Sequence, residues 1–172
     1  MSISQRLAEL LAFGELVERP SSFTGYDTAR TMIVAPEIDR VATKPFPATV
    51  AGDRLAELAN TLDAFSEGGE FSVSEDCKEK PPETMLARTC PEQDEFWSIR
   101  VTSPEQTPGI RLLGGFAAKD TFIALAWHLR EDMDFDDDVA DLRERWRGLF
   151  GSITPFRGRS LDGYLSNYIV SK

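Results

Sequence analysis

The sequence contains few of the residues on which metal centres and histidine chemistry depend. Its 172 residues include two cysteines, Cys77 and Cys90, and one histidine, His128. Because neither a CxxC spacing nor a histidine pair is present, the sequence argues against a structural zinc site, and we predict no metal. A single imidazole also excludes any mechanism that needs two histidines.

Long apolar runs and phosphate-binding loops are missing as well. No uninterrupted apolar stretch reaches the roughly 20 residues of a membrane span, and the N-terminal segment lacks the apolar centre of a secretory signal. These absences predict a cytoplasmic protein without a membrane partner. Gly114-Gly115 belongs to neither a GxGxxG nor a GK[ST] motif. We therefore predict no cofactor and interpret the pair as a bulge or a close backbone contact within a strand.

Basic residues are the minority of the charged residues. The chain has 29 acidic residues against 19 lysines and arginines, a formal net charge of −10 and a sequence pI near 4.6. Such a balance argues against passive binding to nucleic acid or to an anionic membrane. It favours another protein as the partner and allows nucleic acid only through a local basic patch. The oligomeric state is left open.

The spacing of the cysteines predicts free thiols. Residues 71–77 and 84–90 have the pattern of two strands, and residues 78–83 between them have the length of a hairpin loop. In an antiparallel register Cys77 lies at the turn end of the hairpin and Cys90 at its far end. The two side chains are then too far apart for a disulfide.

The hydrophobic pattern predicts a single α+β domain over residues 1–172. A mainly helical part (1–69) precedes a mostly antiparallel sheet (70–130) and C-terminal helices (131–172). Apolar residues at helical spacing predict four helices, over 4–18, 52–66, 135–150 and 160–170. A strand is predicted over 30–35, ended by Pro36, and the segment with Pro45 and Pro47 is predicted as a loop or edge strand.

An acidic run at residues 131–138 has some of the spacing of a calcium loop. Asp132, Asp134 and Asp136 match its first three ligand positions. However, Asp137 stands where the sharp turn needs glycine, and Arg143 stands where the bidentate glutamate belongs. The run therefore predicts a solvated helix N-terminus and not a metal site.

The most informative stretch is residues 96–130, which predicts three strands with one apolar and one basic face. A turn at Lys119-Asp120 pairs Arg111 with His128 and Ile110 with Leu129. Strict alternation directs one set of residues to the core: Ile110, Leu112, Phe116, Ile123, Leu125, Trp127 and Leu129. The opposite face then carries four cationic or titratable side chains near one end of the sheet: Arg100, Arg111, His128 and Arg130.

The basic face allows two interpretations. In the first, Arg100, Arg111 and Arg130 bind an anion, since guanidinium groups bind phosphate bidentately. The candidate catalytic residues are then His128, as a proton carrier, with Arg111 and Arg130. In the second, the first helix covers this face and pairs its carboxylates with the arginines, and the available acids are Glu9, Glu15 and Glu18. Small residues leave room on the same face: Gly115, Ala117, Ala124 and Ala126.

The order of these strands resembles the sheet core of the RelE/ParE toxin superfamily. Members of that bacterial superfamily pair a helical N-terminal part with a curved antiparallel sheet, and they commonly show a W-x-[IL]-R strand followed by a G-x-R-[VIL] strand. Here Trp97-Ser98-Ile99-Arg100 and Gly109-Ile110-Arg111-Leu112 match these motifs, and the resemblance covers residues 96–130. It implies action on RNA or on nucleic-acid machinery through Arg100 and Arg111, with Arg130 at the strand end.

Two other functions remain open from the sequence. The chain could be a non-enzymatic acidic interaction protein of phage or mobile-element type, whose surface imitates nucleic acid. Alternatively, a small ligand could bind between the sheet and the first helix, beside Gly115 and Ala124. The longer pattern through Trp146 and Tyr164 also looks like a bacterial family for which the sequence predicts no activity.

Overall fold

The fold combines helices with one sheet, as the sequence predicts. The computed structural model describes residues 1–20, 29–102 and 109–171. The helices in these ranges are α1 (Ile3–Ala12), α2 (Pro36–Val41), α3 (Val50–Ser66), α4 (Phe135–Phe150) and α5 (Leu161–Tyr164). The strands are β1 (Val17–Arg19), β2 (Thr31–Val34), β3 (Phe71–Ser74), β4 (Leu86–Arg88), β5 (Phe96–Val101), β6 (Ile110–Ala118), β7 (Thr121–Leu129) and β8 (Tyr168–Val170).

The strands form a single mixed sheet in the order β1-β2-β7-β6-β5-β4-β3-β8. Neighbours from β4 to β7 are antiparallel, as is the β1–β2 pair. The β2–β7, β3–β4 and β3–β8 pairs are parallel. The predicted α+β class is therefore confirmed. The sheet is mixed because β2 joins β7 in parallel at one side of the antiparallel centre, and β3 joins both β4 and β8 in parallel at the other side.

Helices cover both faces of the sheet. On one face, α2 and α3 bury Ile38, Leu62 and Phe65 against residues such as Trp97 and Leu112. On the other face, α1 and α4 form a second cluster, which contains Leu7, Leu10, Leu142, Trp146, Leu113, Ile123 and Leu125. Each fully buried large apolar side chain contributes about 1.5–3 kcal/mol, so both layers stabilise the domain. Of the described residues, no helix has both the length and the apolar character needed to cross a membrane.

A bulge in the central hairpin overturns part of the predicted face assignment. Leu113 pairs with Ala126 while Gly114 pairs with Ala124, so Leu125 is an extra residue in β7. Because an extra residue reverses the alternation, Ile123 and Leu125 pack under α1 and α4 and not beside Ile110 and Leu112 as predicted. The predicted close backbone contact is confirmed at Gly114, where an added Cβ would lie 1.9 Å from the Ile123 carbonyl oxygen.

The first predicted helix is too long. Ser2 caps α1 by accepting the Gln5 amide at 3.2 Å. The helix then ends at Ala12, and Gly14 takes a positive φ of 72°. The chain therefore reverses, and Val17 lies in β1 although it fits the helical stripe.

The sequence predicts a loop or edge strand after Pro36. In the structure, Pro36 is instead the first residue of α2. Proline is tolerated in the first helical turn because its missing N–H has no partner there. The segment that follows α2 carries Pro45 and Pro47 without forming a strand.

The last predicted helix, over 160–170, is wrong in its second half. Only Leu161–Tyr164 is helical, and Tyr168–Val170 joins β3 as an edge strand. The buried guanidinium of Arg30 donates to the carbonyls of Ser166 and Asn167, which draws this segment out of a helical path. Ile169 in this edge strand is 49% exposed.

Helices α3 and α4 agree closely with the predictions over 52–66 and 135–150. The acidic run supplies the start of α4, because the Asp134 carboxylate accepts the amides of Asp136 and Asp137 at 3.2 and 3.3 Å. Capping and three aspartates in the first turn suit the positive end of the helix dipole. In the described ranges, no three His, Cys, Asp or Glu side chains are grouped to hold a metal.

Candidate functional site

The prediction of free thiols is wrong, because β3 and β4 are parallel. Val73 pairs with Leu86, and Ser74 pairs with Ala87. Parallel strands end at the same edge of a sheet, so the residues that follow them come together. Cys77 and Cys90 form a disulfide there, with Cα atoms 5.1 Å apart.

The predicted register of the central strands is confirmed. Arg100 lies opposite Arg111, and Arg111 lies opposite His128. Arg130 follows β7 in a one-turn helix. Three neighbouring strand ends thus bring the three predicted anion-binding arginines to one end of the sheet.

Arg100, Arg111 and Arg130 line a cavity of about 620 Å³. The loop between β3 and β4 supplies two further cations, Lys78 and Lys80. The rest of the described lining is the disulfide, Pro82, Ala87, Ser98, Phe135 and Asp136. Five cationic side chains therefore face one carboxylate among these residues, in a chain whose net charge is −10.

The arginines of the cavity lack the ion pairs that other arginines make. Within the described ranges, no carboxylate oxygen lies within 4.0 Å of a charged nitrogen of Lys80, Arg100, Arg111 or Arg130. Arg100 donates to the Pro81 carbonyl at 3.0 Å, and Arg111 donates to the Ile110 carbonyl at 3.2 Å. Each guanidinium keeps further N–H donors for a ligand, since it carries five.

The second interpretation of the basic face is correct in its cover and wrong in its ion pairs. Helix α1 packs on this face against Leu113 and Ala117, but its carboxylates do not pair with the arginines. Glu9 forms its ion pair with Arg6 at 2.9 Å on the same helix. Glu15 and Glu18 lie beyond the end of α1, and Glu18 belongs to β1 at the far edge of the sheet. The cavity is bounded instead by the beginning of α4 and by the β3–β4 loop.

Burial and mutual repulsion destabilise the positive charges of the cavity. Burial, followed by repulsion from Arg100 and Arg130, lowers the pKa of Arg111 to about 10. Burial, followed by repulsion from Arg100 and Arg111, lowers the pKa of Lys80 to about 8. The pKa of Arg100 is lowered by burial and then by Arg130. A bound anion would offset the repulsion between these cations and compensate part of the free energy lost on their burial, because it supplies a negative charge next to them.

Ser98 adds an unpaired polar group to the cavity wall. The residue is 1% exposed, and its hydroxyl oxygen has no hydrogen-bond partner among the described residues. An unsatisfied buried hydroxyl costs about 1–3 kcal/mol. Its place in the lining makes it a donor available to a ligand.

His128 lies opposite Arg111 in the sheet, as predicted, but its side chain does not line the cavity. Its Nδ1 lies 3.6 Å from a carboxylate oxygen of Asp138 in α4. The cavity lining does not include His128. The proposed role of His128 as a proton carrier at the arginines therefore has no support in the geometry.

The open space predicted beside the small residues is filled. An added Cβ at Gly115 would lie 2.9 Å from Pro155, which packs there. The bulge directs Ala124 to the other face, against the cluster formed by α2 and α3. A ligand pocket between the sheet and α1 at these two residues is thus overturned, and the cavity lies at the other end of the strands.

Of the described lining, only the three arginines were among the predicted site residues, and the lining residues that were missed include Lys78, Lys80 and Ser98. Ser98 alternates with Arg100 along β5, so the strand pattern already places both on one face. The lysines belong to a connection whose path depends on the parallel pairing of β3 with β4, and their sequence carries no signal for it.

Fold and site together define an α+β domain with a partly buried cationic cavity. Comparisons with protein-family models, curated proteins and solved structures each give no match to this chain. The resemblance of residues 96–130 to the RelE/ParE superfamily therefore stays a prediction.

Proposed function

We propose that this protein binds a small, multiply charged anion that carries phosphate or carboxylate groups. The observation that supports this function is the convergence of Arg100, Arg111 and Arg130 without a carboxylate partner among the described residues. Guanidinium groups bind such anions through paired, charge-assisted hydrogen bonds.

The dimensions of the cavity suit a small molecule. Its volume of about 620 Å³ falls within the range of about 300–1,000 Å³ that is usual for ligand sites. Phe135, Ala87 and the disulfide give part of the wall an apolar character. A ligand with an anionic group and a short carbon skeleton matches this combination.

The test is an affinity measurement with simple anions. Calorimetric titration with tripolyphosphate and with citrate at low salt is expected to show saturable binding by the wild type. Arg111→Gln removes one bidentate donor and should weaken binding by about tenfold or more.

Arg147→Gln is the matched control for this titration. It removes the same charge from the exposed Arg147–Glu144 pair, which lies outside the cavity. We expect the affinity of this variant to remain within about twofold of the wild type. Equal loss in both variants, or no saturable binding by the wild type, would refute the proposal.

Action on RNA, which the toxin resemblance implies, is the second candidate. It is supported by the direct cross-strand pairing of Arg100 with Arg111, the two arginines of the resembling motifs. Expression of the wild type and of an Arg111→Ala, Arg130→Ala double variant should then differ in growth arrest and RNA integrity. If both are equally harmless, the protein is not a toxic nuclease. The alternative of an acidic interaction protein with a protein partner stays a prediction.

The disulfide weighs against the predicted cytoplasmic location. Disulfides persist in oxidising compartments and are rare in the cytosol, where thiols are kept reduced. The cytoplasmic location stays a prediction, which thiol alkylation of the protein in its native cells would test. A fully alkylated pair would support it, and a protected pair would oppose it.

A further inference from the structure

Lys80 combines a position in the cationic cavity with an environment that favours a neutral amine. It lies in the β3–β4 loop and is partly buried, which disfavours its charge. Its Nζ is 5.2 Å from the centre of the Phe135 ring, and this contact by itself favours the charged form. Arg100 and Arg111 are close enough to repel its charge, whereas Asp76 gives a weaker opposing attraction. Lys78, Arg130 and Asp136 are the other charged residues of the described lining.

Neutral amines are the reactive form of lysine. With a pKa of about 8, about one Lys80 side chain in ten is neutral at pH 7, against about one in three thousand for an ordinary lysine. A lysine placed in a desolvated site beside other cations is activated in this manner as a nucleophile towards carbonyl carbon.

We propose that Lys80 forms a Schiff base with small anionic aldehydes and ketones, such as 2-oxo acids, whose acid group is bound by Arg100, Arg111 and Arg130. This inference rests on the anion binding proposed above and adds the class of ligand. It follows from a nucleophilic nitrogen and an anion-binding cluster lining one cavity of suitable volume.

The reaction needs no oxidant or reductant. The amine nitrogen adds to the carbonyl carbon, a C–N bond forms, and the carbonyl oxygen takes a proton. The nitrogen then releases its first proton, the C–O bond breaks, and the oxygen leaves as water with a second proton, which gives an iminium ion. The iminium nitrogen finally releases its remaining proton, so the two protons lost by nitrogen balance the two taken by oxygen. The products are an imine and one water molecule. Asp136 is the carboxylate in the lining that can carry these protons, and the unpaired Ser98 hydroxyl can donate to the oxygen.

The experiment traps the imine. The oxidised protein is incubated with pyruvate and sodium cyanoborohydride, which reduces imines and leaves the disulfide intact, and the labelled lysines are identified by peptide mass mapping. We expect labelling of Lys80 to exceed labelling of the exposed Lys119 by about tenfold or more, given their free-amine fractions. The rate at Lys80 should rise with pH up to about 8 and then level off.

Three controls separate a site from general lysine reactivity. Arg111→Gln should reduce the preference for Lys80 over Lys119 when pyruvate is the carbonyl compound. Acetone, which carries no acid group, should still label Lys80 ahead of Lys119 because of the free-amine fractions, but with a smaller preference than pyruvate, whose acid group the arginines bind. Lys80→Arg should lose the labelled Lys80 peptide and keep wild-type labelling at Lys119. Labelling that follows exposure alone, or an equal preference with acetone, would overturn the inference.

Failure of this inference differs from failure of the proposed function. If tripolyphosphate binds while pyruvate leaves Lys80 unlabelled, anion binding stands and the Schiff base is refuted. If neither tripolyphosphate nor citrate binds, both proposals are refuted together.

Discussion

Two clusters of arginine in this protein have opposite electrostatic surroundings. Around Glu95, which is 5% exposed, Arg157 donates at 2.7 Å and the Tyr164 hydroxyl donates at 2.5 Å. Arg88 lies 3.6 Å from the same carboxylate. Around the cavity, Arg100 and Arg111 have only backbone carbonyls as described acceptors. The first cluster has a carboxylate at its centre, and the second has none among the described residues.

The pKa values express the same contrast. Burial, followed by the hydrogen bond to Glu95, raises the pKa of Tyr164 to about 12, so its hydroxyl stays a donor. In the cavity, burial and like charges lower the pKa of Arg111 to about 10. The arginines around Glu95 form ion pairs that connect parts of the fold. Arg100 and Arg111 form no such pairs among the described residues, so their remaining N–H groups can bind a ligand. The absence of a carboxylate partner among the described residues makes the cavity the better candidate for an anion site.

The largest expected effect comes from breaking the cluster around Glu95. Glu95→Ala removes the shared acceptor and leaves Arg88 and Tyr164 buried without it. We expect the free energy of unfolding to fall by about 3–5 kcal/mol, the usual cost of leaving a buried charge unpaired. Urea denaturation measures this change. Tripolyphosphate affinity should stay the same wherever the variant is folded, and a large loss of affinity would show that the two clusters are not separate.

Removal of the disulfide is expected to affect stability and binding together. In a Cys77→Ala, Cys90→Ala variant, the free energy of unfolding should fall by about 3 kcal/mol, because the bridge closes a short loop. The same loop carries Lys78 and Lys80, so tripolyphosphate affinity should also fall. Urea denaturation and calorimetry provide the two values. Unchanged affinity would mean that the lysines do not need the bridge for their position.

A smaller effect is expected in the pH dependence of stability and of tripolyphosphate affinity, because Lys80 in the cavity titrates below an ordinary lysine. Between pH 8 and 10.5, Lys80 is protonated in the unfolded chain and largely neutral in the fold. Because the unfolded state then binds more protons, the free energy of unfolding should rise with pH in this window relative to Lys80→Met. Between pH 7 and 9, below the pKa of Arg111, tripolyphosphate affinity should fall by about fivefold or less, since only the charge of Lys80 is lost. A parallel pH response in the Lys80→Met variant would contradict the assignment.

The sequence predicts the antiparallel centre of the fold well, because its contacts are local. The turn at Lys119-Asp120 determines the register of the hairpin, and the positive φ of Asp120 closes it. Strand alternation then places Arg100 and Arg111 together without any knowledge of the helices. These two residues are the part of the candidate site that the sequence alone provides.

The remaining features depend on contacts that the sequence pattern does not encode. The connection between β3 and β4 has the length of a hairpin loop, so its parallel crossover, the disulfide and the position of Lys80 were all missed. The bulge at Leu125 reverses strand faces without a change in composition. The side chain of His128 was expected beside the arginines, but it lies next to Asp138 because α4 packs over β7.

Ligand-dependent stability tests the central claim most directly. The free energies of unfolding of the wild type and of Arg111→Gln are compared in tripolyphosphate and in chloride of equal ionic strength. At about one hundred times the dissociation constant, the wild type should gain about 2.7 kcal/mol in tripolyphosphate. The variant should gain far less at the same concentration. An equal gain in both proteins, or no gain in the wild type, would contradict an anion site at these arginines.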